Sequence, residues 1–595
     1  MRQALDKTLR NQLESAVLTA REITETACRE EIERLGIGDA NVPAFLNEAQ
    51  RKLRNRLRAH ARQLGDPLHD NGKQETAHLL AEMAYEQWHR MLFARFLEQN
   101  NLLMYDAYTP VSLDECAELL EEETNCASAW ELAGRLAAKM LPQVFRVDSP
   151  VLAIRLPINH QRTLEGLIMA LSPAVFEAQD SLGWCYQFWQ SKRKDEVNKS
   201  GVPIGADELS PVTQLFTEPY MVSFLLDNAL GAWWAKRRLT QDHLRHASSE
   251  QELRERAAID GVPLSYLRFV KVSDAQGERW QPAGGWYDAW PSEISELKAL
   301  DPCCGSGHFL VALFLMLVPM RMQLEGCDAN TAIERVITQN LHGLELDSRC
   351  IEIAAFALAL EAWRYPSAGG YRDLPEMQLA CSGLSISEAQ KEWKDLAKGD
   401  EDLSNAIAWM LYTFKDAPIL GSLIDPTTSL KKGQLPPWES LLQVIGNKYD
   451  ISNESRVMAY GLVKAAQLLS KKYDVVLTNP PYLGDRKQCE FLKKYSQLHF
   501  PIAKSELANV MYLRASKLLK RNGCGLFVYP ESWLTLTRSE EFRRFVLKNQ
   551  KVHILIRLGD NSFDNKQAKG ASVCMSIFSN SSFEHQKISS LDLFK

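Results

Sequence analysis

The chain has 595 residues, of which 45% are hydrophobic, and a formal net charge of −6, which is enough sequence for two or three domains with buried cores. Its twelve cysteines form no C-x-x-C pair and no zinc-ligand spacing, so we expect a reducing cytosol and no structural metal. The amino terminus lacks an apolar signal-peptide core, and no stretch approaches the length of a membrane span. A cytoplasmic protein that does not bind membranes is therefore expected.

The charge is unevenly distributed along the chain. From Lys471 to Lys595 there are 21 Lys and Arg residues against 11 Asp and Glu residues, a local charge of +10 that leaves −16 for residues 1–470. The excess includes Arg486, Lys487, Lys493, Lys494, Arg543 and Arg544. Such an excess is the electrostatic footprint expected beside a phosphate backbone, although each of these side chains taken alone is more often a solvated surface charge.

Residues 1–205 are predicted to form an α-helical amino-terminal domain. Charged amphipathic repeats cover residues 13–35 and 40–64, and an aromatic helix is expected around Trp88. Residues 206–595 are predicted to form an α/β catalytic domain, whose sheet runs from near Leu297 to about Phe578. Residues 262–290 are predicted to be an excursion before this sheet.

The first informative motif is the loop Asp301-Pro-Cys-Cys-Gly-Ser-Gly-His308. It follows a short apolar strand and precedes apolar residues at helical spacing. Gly305 and Gly307 lack a Cβ, so the backbone can adopt positive φ and let a ligand approach closely, at the end of a strand where open α/β sheets bind ligands. Because a Walker A lysine is absent, a phosphate cradle is disfavoured, and a structural turn is the alternative to a cofactor site.

A second acidic strand end follows at Leu341-His-Gly-Leu-Glu-Leu-Asp347. Glu345 or Asp347 could accept hydrogen bonds from both hydroxyls of a ribose, as in dinucleotide folds. The spacing from the glycine loop is about twice the ~20 residues of the dinucleotide fingerprint, which argues against nicotinamide. A solvated carboxylate is the alternative. Residues 383–470 then form a long insertion, predicted to be helical and to cover one face of the sheet.

The second motif, Asn479-Pro-Pro-Tyr482, follows an apolar strand at 473–478. Proline fixes φ and restricts the preceding residue, so this turn is rigid. It suits a task in which the Asn479 side-chain oxygen and the Pro480 carbonyl accept hydrogen bonds from an amino group while Tyr482 stacks on a base. Although an isolated Asn-Pro-Pro is usually only a turn, the combined motifs predict methyl transfer from S-adenosylmethionine to an amino nitrogen, most plausibly N6 of adenine.

With these motifs in this order, the chain resembles the gamma-class amino-methyltransferases. The resemblance implies a Rossmann-like class I S-adenosylmethionine-dependent methyltransferase sheet with catalytic residues Asn479, Pro480, Pro481 and Tyr482. It implies cofactor contacts from Phe216, Thr217, Asp301, Cys303, Gly305, Ser306, Gly307, Glu345 and Asp347. Phe563 matches the aromatic that sandwiches a flipped base opposite Tyr482. The strand near Leu379 departs from the class, since Cys381 and Ser382 stand where an Asp or Asn often reads the cofactor adenine.

Longer segments carry a narrower resemblance. Residues 182–189, Lys192-Arg-Lys-Asp-Glu196 and Gln214-Leu-Phe-Thr217 are similar to the PglX/BrxX family, the large adenine methyltransferases of BREX phage-defence systems, and the similarity extends from about Thr76 onward. It implies double-stranded DNA and other BREX proteins as partners. Members of that family continue into a carboxy-terminal target-recognition domain, which is expected to be absent here, so DNA specificity would be weak or supplied by a partner.

Three alternatives remain open at this stage. Another amino-methyltransferase with Asn-Pro-Pro-Tyr could act on protein glutamine or RNA. A restriction-modification methyltransferase of type I or type IIG is also compatible, although the amino-terminal region shows no convincing Asp...Glu-x-Lys nuclease pattern. The third is a cofactor-binding, DNA-binding scaffold of a defence complex without turnover of its own.

Overall fold

The computed structural model describes residues 4–123, 126–142, 149–275, 277–386, 393, 401–429, 453–559, 562–563, 572–581 and 589–592. The chain divides into two compact units. The first comprises residues 2–192 and 362–373, and the second comprises residues 193–361 and 374–595.

The first unit is helical over its described residues. Its helices are α1 Lys7–Arg34, α2 Glu48–Gln63, α3 Ala77–Gln99, α4 Leu113–Leu119, α5 Ala129–Met140, α6 Ile158–Met169, α7 Pro173–Glu177 and the first part of α8 Ser181–Ser200. The side chain of Asp6 caps α1 by accepting from the Thr8 and Leu9 amides, which satisfies donors that a helix start leaves unpaired. The core is aromatic: the rings of Tyr85 and His89 stack with centroids 3.7 Å apart.

The second unit contains the other helices and all ten strands of the described residues. The helices are α9 Ala206–Thr213, α10 Pro219–Leu226, α11 Ala232–Arg238, α12 Gln241–His246, α13 Glu250–Ala257, α14 His308–Glu325, α15 Ala329–Arg335, α16 Ser348–Trp363, α17 Glu401–Phe414, α18 Ala417–Leu420, α19 Asn453–Ser470, α20 Glu490–His499, α21 Leu507–Leu518 and α22 Glu540–Asn549. A π-helical turn, Asp227–Gly231, joins α10 to α11. The last two residues of α16 belong to the first unit.

The strands form one hairpin and one large sheet. The hairpin pairs β1 Phe269–Asp274 with β2 Gly277–Pro282. The sheet contains β3 Ala299–Asp301, β4 Leu341–Glu345, β5 Leu379–Cys381, β6 Tyr473–Thr478, β7 Leu519–Pro530, β8 Lys551–Gly559, β9 Val573–Ser579 and β10 Ser589–Asp592. Its order is β10-β8-β9-β7-β6-β3-β4-β5, and β9 alone runs antiparallel to its neighbours.

This order confirms the predicted Rossmann-like α/β methyltransferase fold. Counted from β3 as the first strand, the sheet reads 3-2-1-4-5-7-6 with an antiparallel seventh strand, and its first five strands follow the doubly wound order. β10, an eighth strand parallel to β8, was not predicted from the sequence. β6 is buried along its whole length, as expected for a central parallel strand covered by helices on both faces.

One sequence-based expectation was wrong. No stretch was expected to approach the length of a membrane span, yet α14 is 18 residues long and passes a test of length and apolar composition for such a span. In the structure, 61% of this helix is buried inside the protein, and it packs against α10, α15 and β4. The apolar character of α14 is therefore explained by burial against the sheet.

The described part of residues 383–470 adds to the core of the same unit. Residues 387–392, 394–400 and 430–452 lie outside the described residues. α17, α18 and α19 lie within the rest, and α19 packs on β5. Leu462, Val463 and Leu469 of α19 share one buried cluster with Tyr473 and Val476 of β6.

The pairing of β7 with β9 supplies a stability test. Gly525 lies opposite Phe578, and a Cβ on Gly525 would overlap the Phe578 ring. We expect Gly525→Ala to reduce the free energy of unfolding in urea by about 1–3 kcal/mol, because overpacking displaces a ring from a filled core. Gly484→Ala is the matched control, since its added Cβ would lie 3.7 Å from its nearest neighbour, Glu506 Oε2. Equal unfolding free energies for the two variants would contradict this account of the β7–β9 contact.

Candidate active site at the carboxyl edge of the sheet

Three neighbouring parallel strands bring the two sequence motifs together. Ala299 of β3 pairs with Leu341 of β4 on one side and with Val475 of β6 on the other. Because these strands run parallel, their carboxyl ends meet at the same edge of the sheet. Asp301, Glu345 and Asn479 stand at those ends, so the structure groups residues that are up to 178 positions apart in the chain.

The glycine loop requires its glycines for two different reasons. Gly305 has φ 51° and Gly307 has φ 84°, a region that side chains with a Cβ rarely adopt. A Cβ on Gly307 would lie 2.8 Å from the Cβ of Ala354, whereas a Cβ on Gly305 would have no neighbour nearer than the Gln214 amide nitrogen at 4.0 Å. Gly307 therefore allows close packing on α16, and Gly305 leaves open space beside the loop.

Asp301 is fully buried at the base of this loop. Its Oδ1 accepts a hydrogen bond from the Cys303 amide at 3.1 Å, and a hydrogen bond with the neighbouring Thr478 side chain holds the pKa of Asp301 lower than burial alone would. Burial raises the pKa of Asp301 to about 8, and the Glu345 carboxylate also raises it. A carboxyl group with this pKa is largely protonated at neutral pH, so it can donate one hydrogen bond and accept others, and the side chain is suited to a polar ligand.

The structure separates the two carboxylates that the sequence left as alternatives. Glu345 Oε2 accepts from the Gly305 amide at 2.8 Å, and burial raises its pKa to about 7. Asp347 instead forms an ion pair with Arg349 at 2.7 Å and accepts from the Ser210 hydroxyl at 3.0 Å. Glu345 therefore faces the glycine loop, whereas Asp347 is already engaged by a cation.

The segment that precedes α10 contacts both motifs. The Asn479 amide nitrogen donates to Thr217 Oγ1 at 3.0 Å and to the Leu215 carbonyl at 3.3 Å. The Phe216 ring lies 4.5 Å from the His308 ring, measured between centroids, at the start of α14. Phe216 and Thr217, which resemblance alone placed in the cofactor pocket, thus lie between the glycine loop and Asn479.

The orientation of the Asn479 amide follows from its partners. A backbone carbonyl only accepts hydrogen bonds, so the amide nitrogen must face Leu215 and the oxygen must point the other way. Asn479 Oδ1 accepts from the Tyr482 hydroxyl at 2.5 Å. A carbonyl oxygen has two lone pairs, and Oδ1 therefore retains capacity for a second donor. Sequence reasoning assigned the Tyr482 ring to stacking and missed this hydroxyl contact.

The turn after Asn479 is anchored from its far side. Pro480 is buried and Pro481 is half-buried. The Leu483 amide donates to Glu506 Oε1 at 2.6 Å, and burial raises the pKa of Glu506. Glu506 directly precedes α21, and the segment Glu506-Leu-Ala-Asn509 resembles the motif that follows Asn-Pro-Pro-Tyr in the gamma class.

The other residues predicted to bind the cofactor or the base lie partly or fully buried around the glycine loop and near Tyr220. Cys303 is half-buried, and Ser306 is 9% exposed in the glycine loop. Phe563 is buried beside Ser562, whose carbonyl accepts from the Tyr220 hydroxyl at 3.0 Å. At the end of β5, the Ser382 amide donates to the Glu345 carbonyl at 2.7 Å. Ser382 therefore binds the backbone of β4 at the position where the class often has a carboxylate or amide side chain.

Some of the Lys and Arg side chains of residues 471–595 form hydrogen bonds or ion pairs within the chain. The Arg543 guanidinium donates to the backbone carbonyls of Trp533 and Leu536. Arg544 pairs with Glu540 at 2.9 Å, and Lys494 lies 3.4 Å from Glu490. Arg486 and Lys487 are exposed next to the turn. The net local charge of +10 already includes Glu490 and Glu540, so these contacts fix the directions of the basic side chains without lowering that charge.

Two family models of DNA methylases match parts of the chain. Residues 339–563 match the model of the Eco57I restriction-modification methylase, and residues 287–370 match that of the MmeI DNA-methyltransferase domain. A solved structure of the Type IIL restriction-modification enzyme MmeI in complex with DNA aligns with 99% of this chain and 59% of its own, at 12% identity and a TM-score of 0.45. The strand order is that of the class I S-adenosylmethionine-dependent methyltransferase fold, and both matching family models describe DNA methylases.

Two relatives, both described as adenine-specific methyltransferases, match a larger part of the chain than the family models do. The chain is 26% identical over 447 residues to the adenine-specific methyltransferase BrxX of Escherichia coli O9:H4 (strain HS), an alignment that covers 71% of this chain and 35% of the relative. It is 23% identical over 622 residues to the adenine-specific methyltransferase PglX of Lacticaseibacillus casei (strain Zhang), covering 95% of this chain and 48% of the relative. The chain is thus a homologue of BrxX and PglX and spans less than half the length of either.

S-adenosylmethionine fits the residues at this edge. Asp301 and Glu345 are buried carboxyl groups whose pKa values lie near neutrality, so each can exchange hydrogen bonds with the hydroxyl and amino groups that the cofactor offers. The open space beside Gly305 admits a ligand close to the backbone. The Phe216 ring provides an aromatic face in the same region. These four residues would hold the cofactor.

The buried Asp301 makes the stability of the ligand-free protein depend on pH. Its pKa is about 8 in the folded protein and ~3.9 in an unfolded chain. Between these values the folded protein holds one more proton, so this residue's contribution to stability is lost as pH rises toward 8. The Asn side chain does not titrate, so the free energy of unfolding of Asp301→Asn should fall less than that of the wild type between pH 5 and pH 9. We expect the difference between the two falls to be at least about 1.4 kcal/mol, the equivalent of one pKa unit. The measurement is urea unfolding at both pH values, and a constant difference would contradict the raised pKa.

Proposed function

We propose that this chain transfers a methyl group from S-adenosylmethionine to N6 of adenine in double-stranded DNA and thereby marks host DNA in a BREX-type phage-defence system of the cytoplasm. The observation that carries the proposal is the fixed orientation of the Asn479 amide. Its nitrogen donates to Thr217 and Leu215, so its oxygen points away from this segment and can accept a hydrogen bond from an amino group.

The proposed mechanism relies on orientation. The adenine must leave the duplex stack to reach the edge of the sheet. Asn479 Oδ1 and the Pro480 carbonyl accept hydrogen bonds from the two N–H groups of the exocyclic amine, which directs the nitrogen lone pair out of the ring plane. Bound S-adenosylmethionine supplies an electrophilic methyl group on sulfur. Since the turn is rigid and anchored by Glu506, little motion is needed at the moment of transfer.

Tyr482 has two roles in this proposal. Its hydroxyl holds Asn479 Oδ1, and its ring, together with Phe563, would enclose the flipped adenine. Phe563 is buried in the ligand-free protein, so its side chain would have to turn toward the base. The cofactor would lie between Phe216, Asp301, Gly305 and Glu345, with Thr217 between it and Asn479.

The relatives support BREX phage defence more than restriction-modification. The restriction-modification models match only residues 287–370 and 339–563, which lie in the second unit except for residues 362–373. The alignments with BrxX and PglX extend to 71% and 95% of the chain and thus include the helical unit as well. Other BREX proteins are the partners that this relationship implies.

Genome-wide methylation tests the proposed activity. We expect expression of the chain in cells without other adenine methylation to produce N6-methyladenine at one recurring motif, detected by native sequencing of genomic DNA. Co-expression with its BREX neighbours is the second arm, because the curated relatives are more than twice as long as the aligned part. An unmodified genome in both arms, with Asn479→Ala as the inactive control, would contradict the proposal.

Substitutions in the second motif separate the proposed roles. Asn479→Ala should abolish transfer while changing S-adenosylmethionine affinity less than about threefold, because the lost group contacts the amino group in the transition state. Tyr482→Phe keeps the ring and removes the hydroxyl that holds Asn479, so kcat should fall by about tenfold, the equivalent of ~1.4 kcal/mol. Tyr482→Ala removes both the ring and the hydroxyl, so its kcat should be lower than that of Tyr482→Phe. A large loss of cofactor affinity in Asn479→Ala would place Asn479 in the cofactor site instead.

A further inference from the structure

A cavity of about 710 Å³ lies in the second unit of the chain, away from the glycine loop. Its floor is formed by Ile556 and Leu558 of β8 and Met575 of β9, and its walls come from α10, α13 and the segment that includes β1 and β2. Its volume falls within the ~300–1,000 Å³ of small-molecule sites. In the sheet order, β8 lies four strands from β3, which corresponds to about 19 Å at the usual strand spacing. The cavity is thus separate from the proposed cofactor site.

Four aromatic side chains line this cavity: Tyr220, Phe224, Tyr266 and Trp280. The Trp280 indole donates to the Ala247 carbonyl at 2.9 Å, which fixes the plane of its ring. Tyr266 is 40% exposed and stands at the opening to solvent. Flat aromatic faces on a partly open wall are the feature on which nucleobases stack, with little dependence on the identity of the base.

The charged side chains of the lining favour an anion. Arg254 and Arg268 share one carboxylate, Glu250, at 3.7 Å and 2.9 Å respectively, so the lining holds two cations and one anion. The Arg268 side chain is 49% exposed, and its Nε and Nη2 donate to the two oxygens of Glu250 at 2.9 Å and 3.1 Å, so a ligand phosphate would have to replace Glu250 as the acceptor. A guanidinium presents its donors in a planar fork that matches a phosphate.

The backbone that carries these residues is held in place by buried side chains. In the π-helical turn after α10, Asp227 accepts from the Tyr266 amide at 2.9 Å. Asn228 donates to the Tyr266 carbonyl at 2.7 Å and accepts from the Arg268 amide at 2.9 Å. Such π-helical insertions are frequent at functional sites. Tyr266 and Arg268 therefore occupy preset positions at the mouth of the cavity.

We propose that this cavity binds a nucleotide unit, with its base against Tyr266 and Trp280 and its phosphate at Arg268. The unit is either a free nucleotide or one residue of a DNA strand, since both present the same base and phosphate. Tyr220, which lines the cavity, lies three residues after Thr217 and hydrogen-bonds Ser562 beside Phe563. A nucleotide in the cavity would therefore contact the same chain segment that contacts Asn479.

Fluorescence titration of the full chain tests the site. The probes are 2-aminopurine riboside 5′-monophosphate and a single-stranded trinucleotide that contains 2-aminopurine. Saturating S-adenosylhomocysteine, which carries no phosphate, fills the cofactor site in every titration. We expect Tyr266→Ser and Arg268→Gln each to raise the dissociation constant about tenfold or more, as is usual for loss of a stacking ring or a phosphate contact.

Matched controls on the same unit isolate the cavity. Tyr412→Ser removes a tyrosine that is 67% exposed on α17, and Arg256→Gln removes an arginine of α13 that pairs with Glu252 outside the cavity lining. Both should change the dissociation constant less than about twofold. Tyr266→Phe retains the ring and should also retain binding, which keeps the test informative if Tyr266→Ser unfolds.

The two probes distinguish the source of the nucleotide. Binding of the monophosphate that depends on Tyr266 and Arg268 supports a free nucleotide. Binding of the trinucleotide alone, with the same dependence, supports a DNA strand. Saturation that is unchanged in both cavity variants, or no saturation by either probe, overturns the proposal.

Discussion

The arrangement of the site depends on the pairing of β3 with a strand on each side. β3 has only three residues, yet Ala299 and Leu300 pair with β4 and also with β6. The chain continues from β3 to β4 on one side and reaches β6 on the other only after β5 and a long excursion. The crevice at this reversal of strand order is where open α/β sheets bind ligands. Asp301, Glu345 and Asn479 reach it because their strands end together.

A single amide then connects the two halves of the site. Asn479 contacts Leu215 and Thr217, more than 260 residues earlier in the chain, as well as Tyr482 in its own turn. Buried polar groups joined in this way polarise one another, and leaving one of them without a partner is costly. The wall of the cofactor pocket and the turn that would hold the base are therefore coupled, and a displacement of either one changes the direction of the Asn479 oxygen.

The sequence was sufficient for features that depend on strand ends and chain order. Runs of apolar residues located β3, β4 and β6, and the known behaviour of parallel strands placed Asp301, Glu345 and Asn479 at one edge. Contacts that depend on the direction of a side chain could not be read in this way. The Tyr482 hydroxyl contact with Asn479 and the Asp347–Arg349 ion pair require the folded backbone. The short strand β10 has no apolar pattern that distinguishes it from a loop.

The buried carboxyl groups show how the site is prepared for polar ligands. Asp301 and Glu345 lie at the glycine loop, and burial raises the pKa of both toward neutrality. Burial disfavours the charged form of both groups, although the Gly305 and Leu346 amides donate to Glu345 and the Cys303 amide donates to Asp301. A carboxyl group with a pKa near neutrality can accept a hydrogen bond when charged and donate one when protonated. The two groups therefore prepare this edge of the sheet for a polar ligand that offers either donors or acceptors.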